Sequence, residues 1–140
     1  MSKDWKAHLF FAVLFLAACF QISLGTEVRI ALKKLLSSFD PTWEIFDQIG
    51  ETFFIHRTGT ILLLLFSFYL VRLGRKLTID GVFLFWLFCI PISVILQGIT
   101  GIGMVYGGLP AWAQMFHVLF ASLFFVSVTN VLIRGVILRR

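Results

Sequence analysis

The run Gly81-Val82-Phe83-Leu84-Phe85-Trp86-Leu87-Phe88-Cys89-Ile90-Pro91-Ile92-Ser93-Val94-Ile95-Leu96-Gln97-Gly98-Ile99-Thr100-Gly101-Ile102-Gly103-Met104-Val105-Tyr106 carries no charged residue. It is longer than the ~20 residues an α-helix needs to cross the hydrocarbon of a bilayer. Three further apolar runs, 7–25, 52–72 and 110–133, reach the same length. The whole chain agrees with them: 59% of it is hydrophobic and 14% charged, and its mean hydropathy is +0.97, so lipid rather than water is the solvent for most of it. The sequence predicts an all-α integral membrane protein, a four-transmembrane-helix bundle forming one domain over 1–140. Short connections leave no room for a separate soluble domain, and any chemistry has to lie between helices.

The formal charge of +5 is distributed as a topology signal. Lys3, Lys6, Arg72, Arg75, Lys76, Arg134, Arg139 and Arg140 flank one side of the four runs. By the positive-inside rule that side is cytoplasmic, which gives N-in/C-in topology. Glu27, Asp40, Glu44, Asp47 and Glu51 lie on the opposite side together with Arg29, Lys33, Lys34 and Arg57. The basic excess is therefore no sign of a nucleic-acid partner; the expected partner is the bilayer itself.

Between the first two spans, over 27–38, Val28, Leu32, Leu35 and Leu36 recur at helical spacing while Arg29, Lys33 and Lys34 fall elsewhere. The pattern predicts a separate amphipathic helix lying on the outer membrane surface. Asp40-Pro41 is expected to stop it and start another short helical turn, with Trp43 at the interface. Asp80 or Thr78 is expected to cap the third span. Pro91 should kink that span, with Ser93 or a neighbouring helix satisfying the carbonyl it frees. Cys19 and Cys89 have no metal-ligand spacing and read as buried small apolar residues. Lys3, Lys6 and Leu16-Ala17-Ala18-Cys19 also fit a lipoprotein signal, but the apolar run continues past Cys19 to Gly25 where a polar tether would be expected.

Two spans carry one histidine each: Phe53-Phe54-Ile55-His56-Arg57-Thr58-Gly59-Thr60 and Ala113-Gln114-Met115-Phe116-His117-Val118-Leu119-Phe120-Ala121. At 1.5 Å per residue, His56 lies ~6 Å and His117 ~10 Å below the expected helix starts, at similar depth in the outer half of the bilayer. An imidazole at that depth is costly without a partner. Each histidine follows an odd-numbered span that ends in the same pair, Gln21 and Gly25 in one case and Gln97 and Gly101 in the other, so the chain reads as two related hairpins. Small neighbours (Gly59 and Thr60; Ala113 and Ala121) leave space beside the rings. Two facing imidazoles, a gap lined by small residues, aromatic packing and a nearby base are what a haem in a helical bundle requires. Arg57, next to His56, and Arg29, just beyond Gly25, are positioned for its propionates. Against this stands a plainer reading, in which the histidines and glutamines join helices by hydrogen bonds and Arg57 snorkels to the interface. His8, beside Lys6, is expected to be interfacial. Two histidines with no further ligand suit a structural zinc site poorly, because four ligands are expected there.

The segments Gln21-Ile22-Ser23-Leu24-Gly25-Thr26-Glu27-Val28-Arg29, Phe54-Ile55-His56-Arg57, Thr100-Gly101-Ile102-Gly103-Met104 and Leu109-Pro110-Ala111-Trp112-Ala113-Gln114-Met115-Phe116-His117-Val118-Leu119-Phe120-Ala121 together resemble the haem A synthase family. That family is usually twice this long, with two four-helix halves and a histidine pair in each, and this chain is most similar to the second, haem-b-holding half. The resemblance implies oxidation of the haem O methyl to the formyl of haem A for cytochrome oxidase assembly. It implies His56 and His117 as ligands of haem b iron, Arg57 in contact with the haem, and haem O as a substrate. A single half implies assembly with a second copy or with a separate substrate-binding half. The expected location is a bacterial inner membrane. Two departures bear on catalysis. The family's substrate half has a glutamate where Phe53 stands, and Glu51 is ~140° away from His56 around a helix; the family's outer-loop cysteine pair is also missing. A non-enzymatic b-type cytochrome and a haem-free scaffold are the alternatives.

Overall fold

The computed structural model describes residues 5–37, 50–76 and 80–137. They form four helices, α1 (Trp5–Leu36), α2 (Glu51–Gly74), α3 (Gly81–Tyr106) and α4 (Ala111–Ile137). All four contain stretches long and apolar enough to cross a membrane, so the chain is a multi-pass integral membrane protein. The segment around Asp40, Pro41 and Trp43, and Thr78, lie outside the described residues, as does the side chain of His8 on α1. α1 packs on α2 and α4, and α3 packs on the same two, most extensively on α4. The helices therefore stand in sequence order around a square, with α2 and α4 diagonally opposite.

Each helix turns one stripe of residues inward at alternating spacings of four and three. The stripes are Leu14, Ala18, Gln21, Gly25, Val28 and Leu32 on α1; His56, Thr60, Leu63, Ser67, Leu70 and Gly74 on α2; Phe83, Leu87, Ile90, Val94, Gln97 and Gly101 on α3; and Ala113, His117, Phe120, Phe124, Ser127 and Val131 on α4. Every one of these residues is buried or half-buried. This is the seam of antiparallel bundle packing. Large apolar side chains elsewhere, such as Leu62, Leu65, Phe85 and Ile99, face outward, as lipid solvation allows.

The stripe on α1 explains the main difference from expectation. Residues 27–36 are not a separate surface helix but the last turns of α1, because the four-three alternation passes through Gly25 without a break and carries Val28 and Leu32 into the bundle. The amphipathic pattern exists, with Arg29, Lys33 and Lys34 exposed, but its apolar face is covered by protein. At 32 residues, α1 is ~48 Å long and exceeds the hydrocarbon thickness.

Asp80 caps α3, accepting from the Phe83 amide at 2.9 Å, and pairs with Arg134 at 3.5 Å. Ser93, two residues beyond Pro91, donates to the carbonyls of Cys89 (2.7 Å) and Ile90 (2.9 Å) and not to that of Leu87, which the proline frees. Ser67 and Ser127 likewise bond to carbonyls four residues back, the usual way to bury a hydroxyl in a membrane helix. Cys89 is half-buried, whereas Cys19 is exposed on the outside of the bundle and does not pack in it as expected. α3 ends in a Schellman turn: Gly108 takes φ 68° and the Leu109 amide donates to Met104 at 2.8 Å, satisfying a terminal carbonyl. Leu109 itself has φ 59°, a costly conformation for a side chain. Its carbonyl accepts from Gln114, and its side chain packs against Leu32.

Candidate functional site

The bundle has two apolar clusters. The larger, around Leu14, Leu70, Leu87, Ile90, Phe124 and Val128, fills one end; the smaller, Leu32 with Ala31, Leu35, Phe53, Val105 and Leu109, closes the other. Between them every helix contributes polar or small residues to its inward stripe: Gln21 and Gly25, His56 and Thr60, Gln97 and Gly101, Ala113 and His117. The two histidines thus come from diagonally opposite helices into one layer.

Both rings lie against a glycine of the preceding helix. A Cβ on Gly25 would stand 3.1 Å from His56 Cε1, and one on Gly101 would stand 3.6 Å from His117 Cε1. The spacing of Gln and Gly follows from this. In a helix the carbonyl of residue i points along the axis toward residue i+4, so a ring packed on either glycine lies beside the carbonyl of the glutamine four residues before it. In α3–α4 the contact closes: His117 Nδ1 lies 3.0 Å from the Gln97 carbonyl oxygen and 3.2 Å from Thr100 Oγ1. A carbonyl can only accept, so the proton belongs on Nδ1 and the Nε2 lone pair is left for another partner. His56 faces the Gln21 carbonyl in the same way, but no hydrogen bond forms, and its Nδ1 is buried without a partner, as is Gln21 Oε1.

The glutamine side chains do not reach the rings. Gln97 Nε2 donates to the Phe120 carbonyl at 3.3 Å, and Gln21 Nε2 donates weakly to the His56 carbonyl at 3.4 Å. The Gln21 amide lies over Gly59, in the space that any side chain there would need. Both glutamines act as helix-joining groups, the plainer of the two expectations.

The basic residues sort differently from the sequence reading. Arg57 is exposed and makes no hydrogen bond or ion pair among the described residues. Arg29, one turn beyond Gly25, donates to Gln114 Oε1 at 2.8 Å. With Lys33, Ser37, Gly108, Leu109 and Gln114 it lines an open pocket of about 340 Å³ at the end of the bundle closed by the smaller cluster. Phe53 packs against Leu32, and Glu51 is exposed, so neither brings a carboxylate to the histidine layer. Sequence reasoning missed Thr100 as a partner of His117 and Gln114 as the link from Arg29 to Leu109. A threonine three residues after Gln97 was the available signal for the first.

Among the described residues no group of three or more His, Cys, Asp or Glu side chains could hold a metal ion. Two imidazoles alone fall short of the four ligands a zinc ion takes. They suffice for an iron whose other four ligands come from a porphyrin. The Nδ1 contact of His117 is the outer-shell arrangement that fixes a ligand histidine's tautomer. The residues that would hold such a group are His56 and His117. No family model, curated protein or solved structure matches this chain.

Proposed function

We propose that the chain binds one b-type haem between α2 and α4 through Nε2 of His56 and His117, and that it serves haem A formation as a haem A synthase or as the haem-b-holding half of one. The observation that carries this reading is the split core: at one level the apolar bundle is interrupted by two imidazoles from diagonal helices, and the Nδ1 contact of His117 with the Gln97 carbonyl leaves its Nε2 lone pair for a ligand. A haem supplies one-electron transfer there. The protein's part is to hold Nε2 of each imidazole toward the centre, to exclude lipid and water with the two apolar clusters, and to offer Arg29 and Lys33 to carboxylates at the outer end. In this reading the chain is N-in/C-in in a bacterial inner membrane and works with a second copy or a separate substrate-binding half.

A second reading, a b-type cytochrome that only carries electrons, is favoured by one feature: no carboxylate lies in the histidine layer among the described residues. Purified membranes test both. Expected is a low-spin bis-histidine haem spectrum lost in His56→Ala and in His117→Ala; its absence in the wild type sinks both readings. Appearance of haem A in cells that make haem O and express the chain selects the first reading, and haem binding without haem A selects the second.

A further inference from the structure

At the opposite end of the bundle from Arg29, α2 closes with three cations on one face: Arg72, Arg75 and Lys76, three and four residues apart. With Phe68 and Val71 they line an open pocket of about 400 Å³. Arg75 and Lys76 form the turn that follows Gly74, tied back to α2 by backbone bonds from Arg75 to Val71 (3.1 Å) and Lys76 to Leu73 (3.0 Å). Like charges at these spacings repel. The neighbouring cation Arg134 has Asp80, whereas none of the three has an ion-pair partner among the described residues. Below the cations, toward the bilayer centre, the wall of the pocket is apolar, and Phe68 is half-exposed to lipid.

A ligand that matches this site is anionic at one end and apolar at the other. We infer that Arg72, Arg75 and Lys76 hold the phosphodiester headgroup of an anionic phospholipid whose acyl chain runs along Phe68 and Val71. Basic pockets at membrane helix ends recognise such headgroups, and planar guanidinium groups suit phosphate oxygens. The inference is independent of haem, because no residue is shared with the histidine layer.

Native mass spectrometry of the full chain in detergent with equimolar phosphatidylglycerol and phosphatidylcholine tests it. The wild type should retain one phosphatidylglycerol with about a hundredfold preference, given roughly a factor of five for each of the three cations. Arg72→Gln with Arg75→Gln should cut the preference to about fivefold, that of Lys76 alone, and adding Gly81→Lys and Val82→Lys, exposed at the start of α3 and not part of the pocket lining, should not bring it back. Arg29→Gln with Lys33→Gln at the other end should leave it unchanged, and excess inorganic phosphate should not displace the lipid. Equal retention of both lipids by the wild type overturns the inference even if the double variant does not fold. So does recovery by the lysines at the start of α3, which would mean diffuse charge, or displacement by phosphate, which would mean an anion site without a lipid.

Discussion

In the hairpin α3–α4, His117 directs Nδ1 at the Gln97 carbonyl with Thr100 alongside. In α1–α2, His56 occupies the corresponding place against Gly25 and faces the Gln21 carbonyl, yet its buried Nδ1 falls short of a hydrogen bond. The residue three after Gln97 is Thr100; three after Gln21 it is Leu24, which offers no polar atom. Leaving a buried nitrogen unpaired costs about 1–3 kcal/mol, so one imidazole is fixed by the fold while the other is held by packing alone. The difference teaches which half of the site is preorganised. Were a haem held as proposed, His117 would be the anchoring ligand and His56 the one that could be lost with the group still in place.

The largest expected effect is on retention of haem. His117→Ala should lose it almost completely, whereas His56→Ala should keep a five-coordinate haem on His117, read from haem content and spin state; equal loss in both would break the comparison. Next come the glycines. Gly25→Ala places a Cβ 3.1 Å from His56, against 3.6 Å for Gly101→Ala at His117. The first should cost about 1–3 kcal/mol by overpacking and broaden the haem signal, and the second should be nearly neutral in thermal melting. Thr100→Val should cost about 1 kcal/mol and shift the haem potential, while Leu24→Thr should give His56 the missing partner and make the two ligands more alike; a Leu24→Thr protein with unchanged spectra and stability would mean that the asymmetry lies elsewhere. The smallest effect is at the Arg29 pocket. Arg29→Gln should weaken haem retention several-fold and Arg57→Gln should not, because only Arg29 is tied to α4, through Gln114.

Much of the bundle was legible in the residues. Four uncharged or nearly uncharged runs give the helices within a few positions, since length and hydropathy alone decide what a bilayer accepts. The cap at Asp80 follows from its place before Gly81. The repeat of Gln and Gly before each histidine is also in the sequence, and the packing of Gly25 on His56 and Gly101 on His117 gives it a reason. The end of α1 was not legible. Gly25 and the basic residues after it imitate a helix end followed by a surface helix, and only the neighbours that bury Val28 and Leu32 distinguish a continued core stripe from a face laid on lipid.

By itself the sequence determined that this chain crosses the membrane four times and that its two buried imidazoles sit at similar depth, because helix rise and hydrophobic length are local properties. Only the tertiary structure decided that the imidazoles belong to diagonal helices in one layer, that a carbonyl four residues before a glycine receives one of them, and that Arg29 rather than Arg57 is tied into the bundle. Those outcomes depend on which faces of separate helices meet, and each is set by the packing of the other three.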